Sequence, residues 1–220
     1  MRWKSLSAFA VLGALAALLA AFAFAAARPA PVDQASAGSG NSQTVVLAGG
    51  CFWGMEAVFD QLKGVTNVVS GYAGGSKATA HYEMVSTGLT GHAESVRVSF
   101  DPSQISFNQL LNVYFLVAHD PTELNRQGPD TGSQYRSAIF YTSDAQRRAA
   151  EALIGALTQS KKFKNPIVTQ VVPLEGFYPA EGYHQHFVAR NPTYPYVVYN
   201  DLPKLADLRE KFPDLVKSRT

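Results

Sequence analysis

From Thr44 onward the spacing of apolar and polar residues changes several times, and each change marks an element. Thr44-Val45-Val46-Leu47-Ala48 is a continuous apolar run closed by Gly49-Gly50, which predicts a short buried strand and a break. Phe52 to Lys63 repeats Met55, Val58, Phe59 and Leu62 at helical spacing, and Gly64 stands where a left-handed cap closes a helix. Val65 to Ser70 reads as a second strand, and Gly71 to Gly91 as a turn-rich stretch with a helical piece near Tyr82. Glu94 to Phe100 alternates after its first residue, as a half-buried strand does. After the turn at Asp101-Pro102, Ser106 caps a helix bearing Phe107, Leu110, Leu111 and Tyr114. A long loop covers His119 to Gln134. Beyond it come a strand (Ser137 to Thr142), a helix capped by Ser143 and running to Gln159, a strand (Ile167 to Val172) and a helix (Pro179 to Arg190). The remainder is punctuated by prolines. Several connections are too short for right-handed parallel crossovers, so the pattern predicts an α+β fold. The expected form is a two-layer sandwich of a mixed sheet with helices, ferredoxin-like in outline, with long irregular loops and a proline-rich C-terminal tail.

The start of the chain differs from the rest. Arg2 and Lys4 precede an uncharged run from Ala8 to Ala27 that ends in small residues before Arg28-Pro29. That order reads as an export signal over residues 1–27, with a retained membrane anchor as the other reading, and the small-residue end favours cleavage. Both place the rest outside the cytoplasm, because a positive flank stays inside. Residues 28–43 are a Pro-, Ala-, Ser- and Gly-rich spacer, and 44–220 are expected to form one folded domain. Cys51 lies too far beyond the apolar run to be a lipid-attachment site.

With 46% hydrophobic and 16% charged residues in 220, the chain is globular and long enough to bury a core unaided. Its formal charge of +2 comes from the leader. A neutral domain without basic clusters argues against nucleic acid. One cysteine, Cys51, leaves no intrachain disulfide and no multi-thiolate zinc site.

Cys51 follows a strand and a glycine pair and opens a helix. The unpaired N–H groups and dipole of a helix N-terminus favour an anion, so a thiol there is expected to lose its proton more readily. Phe52 and Trp53 adjoin the sulfur and suggest an apolar pocket. A lone cysteine is otherwise commonly a small buried hydrophobe. His119 offers a cysteine–histidine alternative, whereas His184-x-His186 lacks thiol or acidic partners at ligand spacing.

Gly49-Gly50-Cys51-Phe52-Trp53-Gly54 resembles the signature of the peptide methionine sulfoxide reductase A family. The resemblance continues in order through Gly71-Tyr72-Ala73-Gly74-Gly75, Thr90-Gly91-His92-Ala93-Glu94, His119-Asp120-Pro121-Thr122, Asn125-Arg126-Gln127-Gly128, Asp130 to Ser137 and Ala180-Glu181-x-Tyr183-His184-Gln185. It covers about Thr44 to Pro192. It implies reduction of the S epimer of methionine sulfoxide, free or in proteins, to methionine. Within it Cys51 is the nucleophile and Glu94 the general acid, kept neutral by apolar surroundings. Tyr82 and Tyr135 match the tyrosines that hydrogen-bond the sulfoxide oxygen or Glu94, and Asp130 matches a residue that holds a water. Phe52 and Trp53 would hold the substrate methyl group.

Many relatives carry further cysteines near the C-terminus, and this chain has none. The resemblance therefore implies a sulfenic acid on Cys51 reduced by an external thiol, either a thioredoxin-like or glutaredoxin partner or a small thiol, with no cofactor or metal. In an exported setting a dedicated thiol relay would supply it. A one-cysteine peroxidase and an aromatic-rich binding module with an inert Cys51 are the alternative readings.

Overall fold

A computed structural model describes residues 42–218. The leader read at 1–27, and all but the last two residues of the spacer, lie outside the described residues. Among those described, no helix is long and apolar enough to cross a membrane.

The fold is α+β. Strands β1 (Gln43–Ala48), β2 (Val65–Ala73), β3 (Ala93–Phe100), β6 (Ala138–Tyr141), β7 (Gln170–Pro173) and β8 (Phe177–Pro179) form one sheet in the order β7-β6-β1-β3-β2-β8. Neighbouring strands are antiparallel except the parallel pair β6–β7, so the sheet is mixed as expected. A hairpin of β4 (Arg126–Gln127) and β5 (Asp130–Thr131) stands apart from it. The helices are α1 (Phe52–Asp60), α2 (Tyr82–Val85), α3 (Phe107–Val113), α4 (Asp144–Gln159), α5 (Phe187–Arg190) and α6 (Leu202–Lys211).

Strand periodicity divides the sheet into unequal faces. Val45, Leu47, Val96, Val98 and Phe100 join Met55, Val58 and Phe59 of α1 and Leu110 and Leu111 of α3 in the main core. The opposite face buries only Val46, Ala48, Ala73, Ala93, Ala138 and Phe140, beneath Leu174 and Phe177. Glu94 shares the parity of Val96, Val98 and Phe100, so the pleat directs its carboxyl into the helix layer.

Two devices fix the end of β1. The phenol of Tyr114, buried where α3 widens into a π-type turn (Tyr114–Ala118), donates to the carbonyl of Ala48 at 2.7 Å and meets Ser137 Oγ at 2.9 Å. Gly50 then turns the chain at φ +93°, a left-handed conformation that favours glycine, and leaves Cys51 as the residue that opens α1. Ser106 caps α3 as expected, in a reciprocal box with Gln109.

The C-terminal third departs from the sequence pattern. The helix expected over Pro179 to Arg190 is only α5, because Phe177–Pro179 pairs with β2 and His186 adopts a left-handed φ of +51°. The side chains between them hold other segments: Gln185 brackets the backbone of Ser70, and Glu181 accepts from the Tyr82 N–H. The expected proline-rich tail contains a helix, α6, which Pro203 starts in its first turn and which buries Leu205 and Leu208.

Candidate active site

The geometry at Cys51 follows from helix termination. The first N–H of α1 has no partner inside the helix, and Phe52 N–H donates instead to Glu94 Oε2 at 3.1 Å. That bond spans 42 residues and seats the carboxyl at the helix mouth beside the thiol. Cys51 is 8% exposed and Glu94 3% exposed, so both sit in the interior.

Burial raises the Glu94 pKa to about 8, helped by the charge of Asp130 and opposed by the Phe52 N–H. A carboxyl so placed is largely protonated at neutral pH. The thiol does not follow the simple helix-terminus expectation. Burial first, then the carboxylates of Glu94 and Asp201, push Cys51 well above its ordinary value, and the Trp53 N–H and Lys204 pull the other way. Desolvation outweighs both.

Tyr82, Tyr135, Asp130, Phe52 and Trp53 lie with Glu94 around the start of α1. Tyr82 is half-buried on α2, with its phenol raised by burial and by the charges of Glu94, Cys51 and Asp130. Tyr135 is raised by burial and by the same three groups. Asp130, on β5, accepts a short hydrogen bond from Tyr196 OH. Phe52 is buried, 5.8 Å between ring centres from Tyr72 and 4.9 Å from His184. Trp53 stacks on Phe187 at 3.7 Å, with Tyr194 and Tyr196 edge-on, and its indole N–H donates to His184 Nδ1 at 3.0 Å.

Several site neighbours were not singled out from the sequence. Tyr72 pairs with Glu94 across β2–β3 and donates to Glu181 Oε2 at 2.9 Å, while Glu181 Oε1 accepts from the Tyr82 N–H. Glu181 thereby joins two walls of the pocket. Strand register with Glu94 is the signal that could have identified Tyr72. Tyr196 and Asp201 come from the segment after Asn191 and carry no local signal.

The histidine alternatives find other employment. His119 Nδ1–H donates to the Tyr114 carbonyl at 2.9 Å, which leaves Nε2 to accept from Ser137 at 2.7 Å. Burial lowers its pKa to about 4, and neither ring nitrogen addresses Cys51. His184 and His186 diverge, the first to Trp53 and the second to Glu56 at 3.3 Å. Among the described residues no three His, Cys, Asp or Glu side chains are grouped to hold a metal ion.

Residues 43–215 match the family described as peptide methionine sulfoxide reductase. The chain belongs to that family. It is 55% identical over 178 residues to peptide methionine sulfoxide reductase MsrA 2 of Mesorhizobium japonicum, covering 81% of this chain and 91% of that one. Against MsrA 2 of Synechocystis it is 48% identical over 189 residues, covering 86% and 88%. The fold is similar to reduced Mxr1 from Saccharomyces cerevisiae, with a TM-score of 0.65 and 34% identity over 70% of this chain and 87% of that one. Methionine sulfoxide reductase A of Corynebacterium diphtheriae is similar at a TM-score of 0.61 and 34% identity, over 70% and 76%. The peptide methionine sulfoxide reductase activity of the family is thus the activity of this chain, and it serves repair of oxidised methionine.

Proposed function

We propose that the chain reduces the S epimer of methionine sulfoxide by attack of Cys51 on the sulfoxide sulfur, with Glu94 as the acid for its oxygen. The observation that carries this is the Phe52 N–H···Glu94 bond, which holds a buried, protonated carboxyl at the helix that Cys51 opens. Glu94 gives its proton to the departing oxygen and regains one from the Cys51 thiol as sulfur–sulfur contact develops. Both protons go to the oxygen, which leaves as water as the substrate S–O bond breaks and a Cys51 sulfur–sulfur bond forms. Water then adds to Cys51 Sγ, breaks that bond and returns a proton to Glu94, leaving a sulfenic acid on Cys51 and free methionine. The phenols of Tyr82 and Tyr135 donate toward the oxygen as charge gathers there, and Asp130, held by Tyr196, keeps a water in the same space. Phe52 and the anchored indole of Trp53 form the apolar wall for the methyl group.

Two equivalents of an external thiol then return the sulfenic acid to Cys51 thiol, yielding a disulfide and water, since the sequence offers no second cysteine. A thioredoxin-like protein or a small thiol fits that role, with no cofactor. Arg2, Lys4 and the apolar run after them support export, with the catalytic domain outside the cytoplasm. The ferredoxin-like description fits the central strand order β6-β1-β3-β2.

The test is a stereoresolved assay on both sulfoxide epimers with dithiothreitol or thioredoxin as donor. Turnover of the S epimer alone, abolished in Cys51→Ser, is the expected result. Equal turnover of both epimers, or full turnover by the Ser variant, would overturn the proposal.

A further inference from the structure

Asp201, at the end of the π-type turn Val197–Asp201 that runs into α6, is 0% exposed, and neither of its carboxylate oxygens has a hydrogen-bond partner. Burying an unsatisfied carboxylate is costly, so its position calls for a reason. Its nearest cation is Lys204 Nζ at 3.8 Å, on a side chain 18% exposed. Both charged heads press on the first turn of α1. A Cβ built on Gly54 would lie 2.2 Å from Asp201 Oδ1 and 3.0 Å from Lys204 Nζ. Gly54 is three residues after Cys51, the N-cap of α1, and so belongs to the turn that Cys51 opens. The absence of a side chain at Gly54 is what admits the pair to the flank of the thiol.

The charges around Cys51 are otherwise acidic or neutral. Glu94 faces it from β3 and Asp130 from β5, with the phenols of Tyr82, Tyr135 and Tyr196 between. Lys204 alone among these is cationic, and its charge also reaches Asp130 and His119. His119 itself packs on Gly49, in the turn just before Cys51.

We propose that Lys204 is a positioning residue of the thiol site: its ammonium, lodged against Gly54, stabilises the anionic form of Cys51, and the buried carboxylate of Asp201 both anchors and counterweighs it. The pair sets how readily the sulfur becomes a nucleophile in an environment that otherwise keeps it protonated. Charge of this kind acts strongly in a buried site, where water screens it little. The inference rests on Cys51 being the reacting sulfur.

The test is the rate of Cys51 alkylation by iodoacetamide as a function of pH, in the full chain. Lys204→Met should move the thiol titration upward and slow alkylation at neutral pH about tenfold, since one pKa unit is tenfold in thiolate. Lys204→Arg should restore the rate to within about twofold, because the charge is kept. Asp201→Asn should shift the titration in the opposite direction and accelerate alkylation. A merely structural role would move the Met and Asn variants alike. Parallel shifts, or an Arg variant as slow as the Met variant, would overturn the proposal. The Arg–Met comparison decides it even if Asp201→Asn does not fold. Sulfoxide reduction by the unmodified chain is measured separately, so a lack of turnover would refute the role of Cys51 and not the charge pair.

Discussion

Replacing Glu94 by glutamine keeps the shape of the side chain and an oxygen for the Phe52 N–H, and removes only the titratable proton. The carboxyl is raised from 4.5 to about 8, chiefly by burial. Each pKa unit corresponds to about 1.4 kcal/mol of difference between protonation states. A group whose folded pKa is raised contributes fully below its unfolded value, and that contribution is lost as pH climbs through the folded value. Between 4.5 and pH 7 the wild-type chain therefore gives up about 3 kcal/mol that the glutamine variant retains. For a domain of this size that is a melting difference of roughly 6–12 °C at pH 7, absent near pH 4. Activity should move the other way, with a fall of about 10²–10⁴-fold from loss of the acid. The wild-type rate should also decline above about pH 8, where Glu94 ionises, and the residual rate of the variant should not. Thermal melts at pH 4, 7 and 8 beside initial rates on the S epimer measure both. A melting difference independent of pH, together with an undiminished rate, would refute both the burial argument and the acid assignment.

Three further outcomes follow from the packing. Tyr196→Phe leaves Asp130 without its phenol donor and should lower kcat/KM about tenfold, the size expected for one hydrogen bond to a charged group. His184→Leu deprives the Trp53 indole of its acceptor; a changed Trp53 emission and a several-fold rise in KM with little change in kcat are expected, read by fluorescence and steady-state rates. Gly54→Ala places a methyl 2.2 Å from the Asp201 carboxylate and should destabilise the chain by about 1–3 kcal/mol in urea unfolding.

How far the sequence foretold this site depends on whether a residue acts through its own element or through the chain's return. Cys51 was legible because strand, glycine pair and helix follow one another directly. The burial of Glu94 was legible in principle from parity alone, since it alternates in step with Val96, Val98 and Phe100. The acidity of the thiol is not legible locally, because a helix terminus is a local feature whereas the burial that raises the thiol, and then the carboxylates of β3 and of the turn before α6, come from the folded chain. Tyr196, Asp201 and Lys204 were hidden for the same reason. Prolines 192, 195 and 203 dominate that stretch, and only docking on α1 reveals that one of them begins a helix. Strand β8 was missed because three residues give no periodicity to detect.

The Trp53–His184 bond joins residues 131 positions apart, and the walls contributed by Glu181, Tyr196 and Lys204 are likewise made last. A ribosome thus delivers the reactive sulfur long before it delivers its enclosure. Until the final quarter of the polypeptide has emerged and folded back, Cys51 is an ordinary unshielded thiol, open to any oxidant it meets, so the hazard this protein repairs in others is one its own nascent chain must first survive.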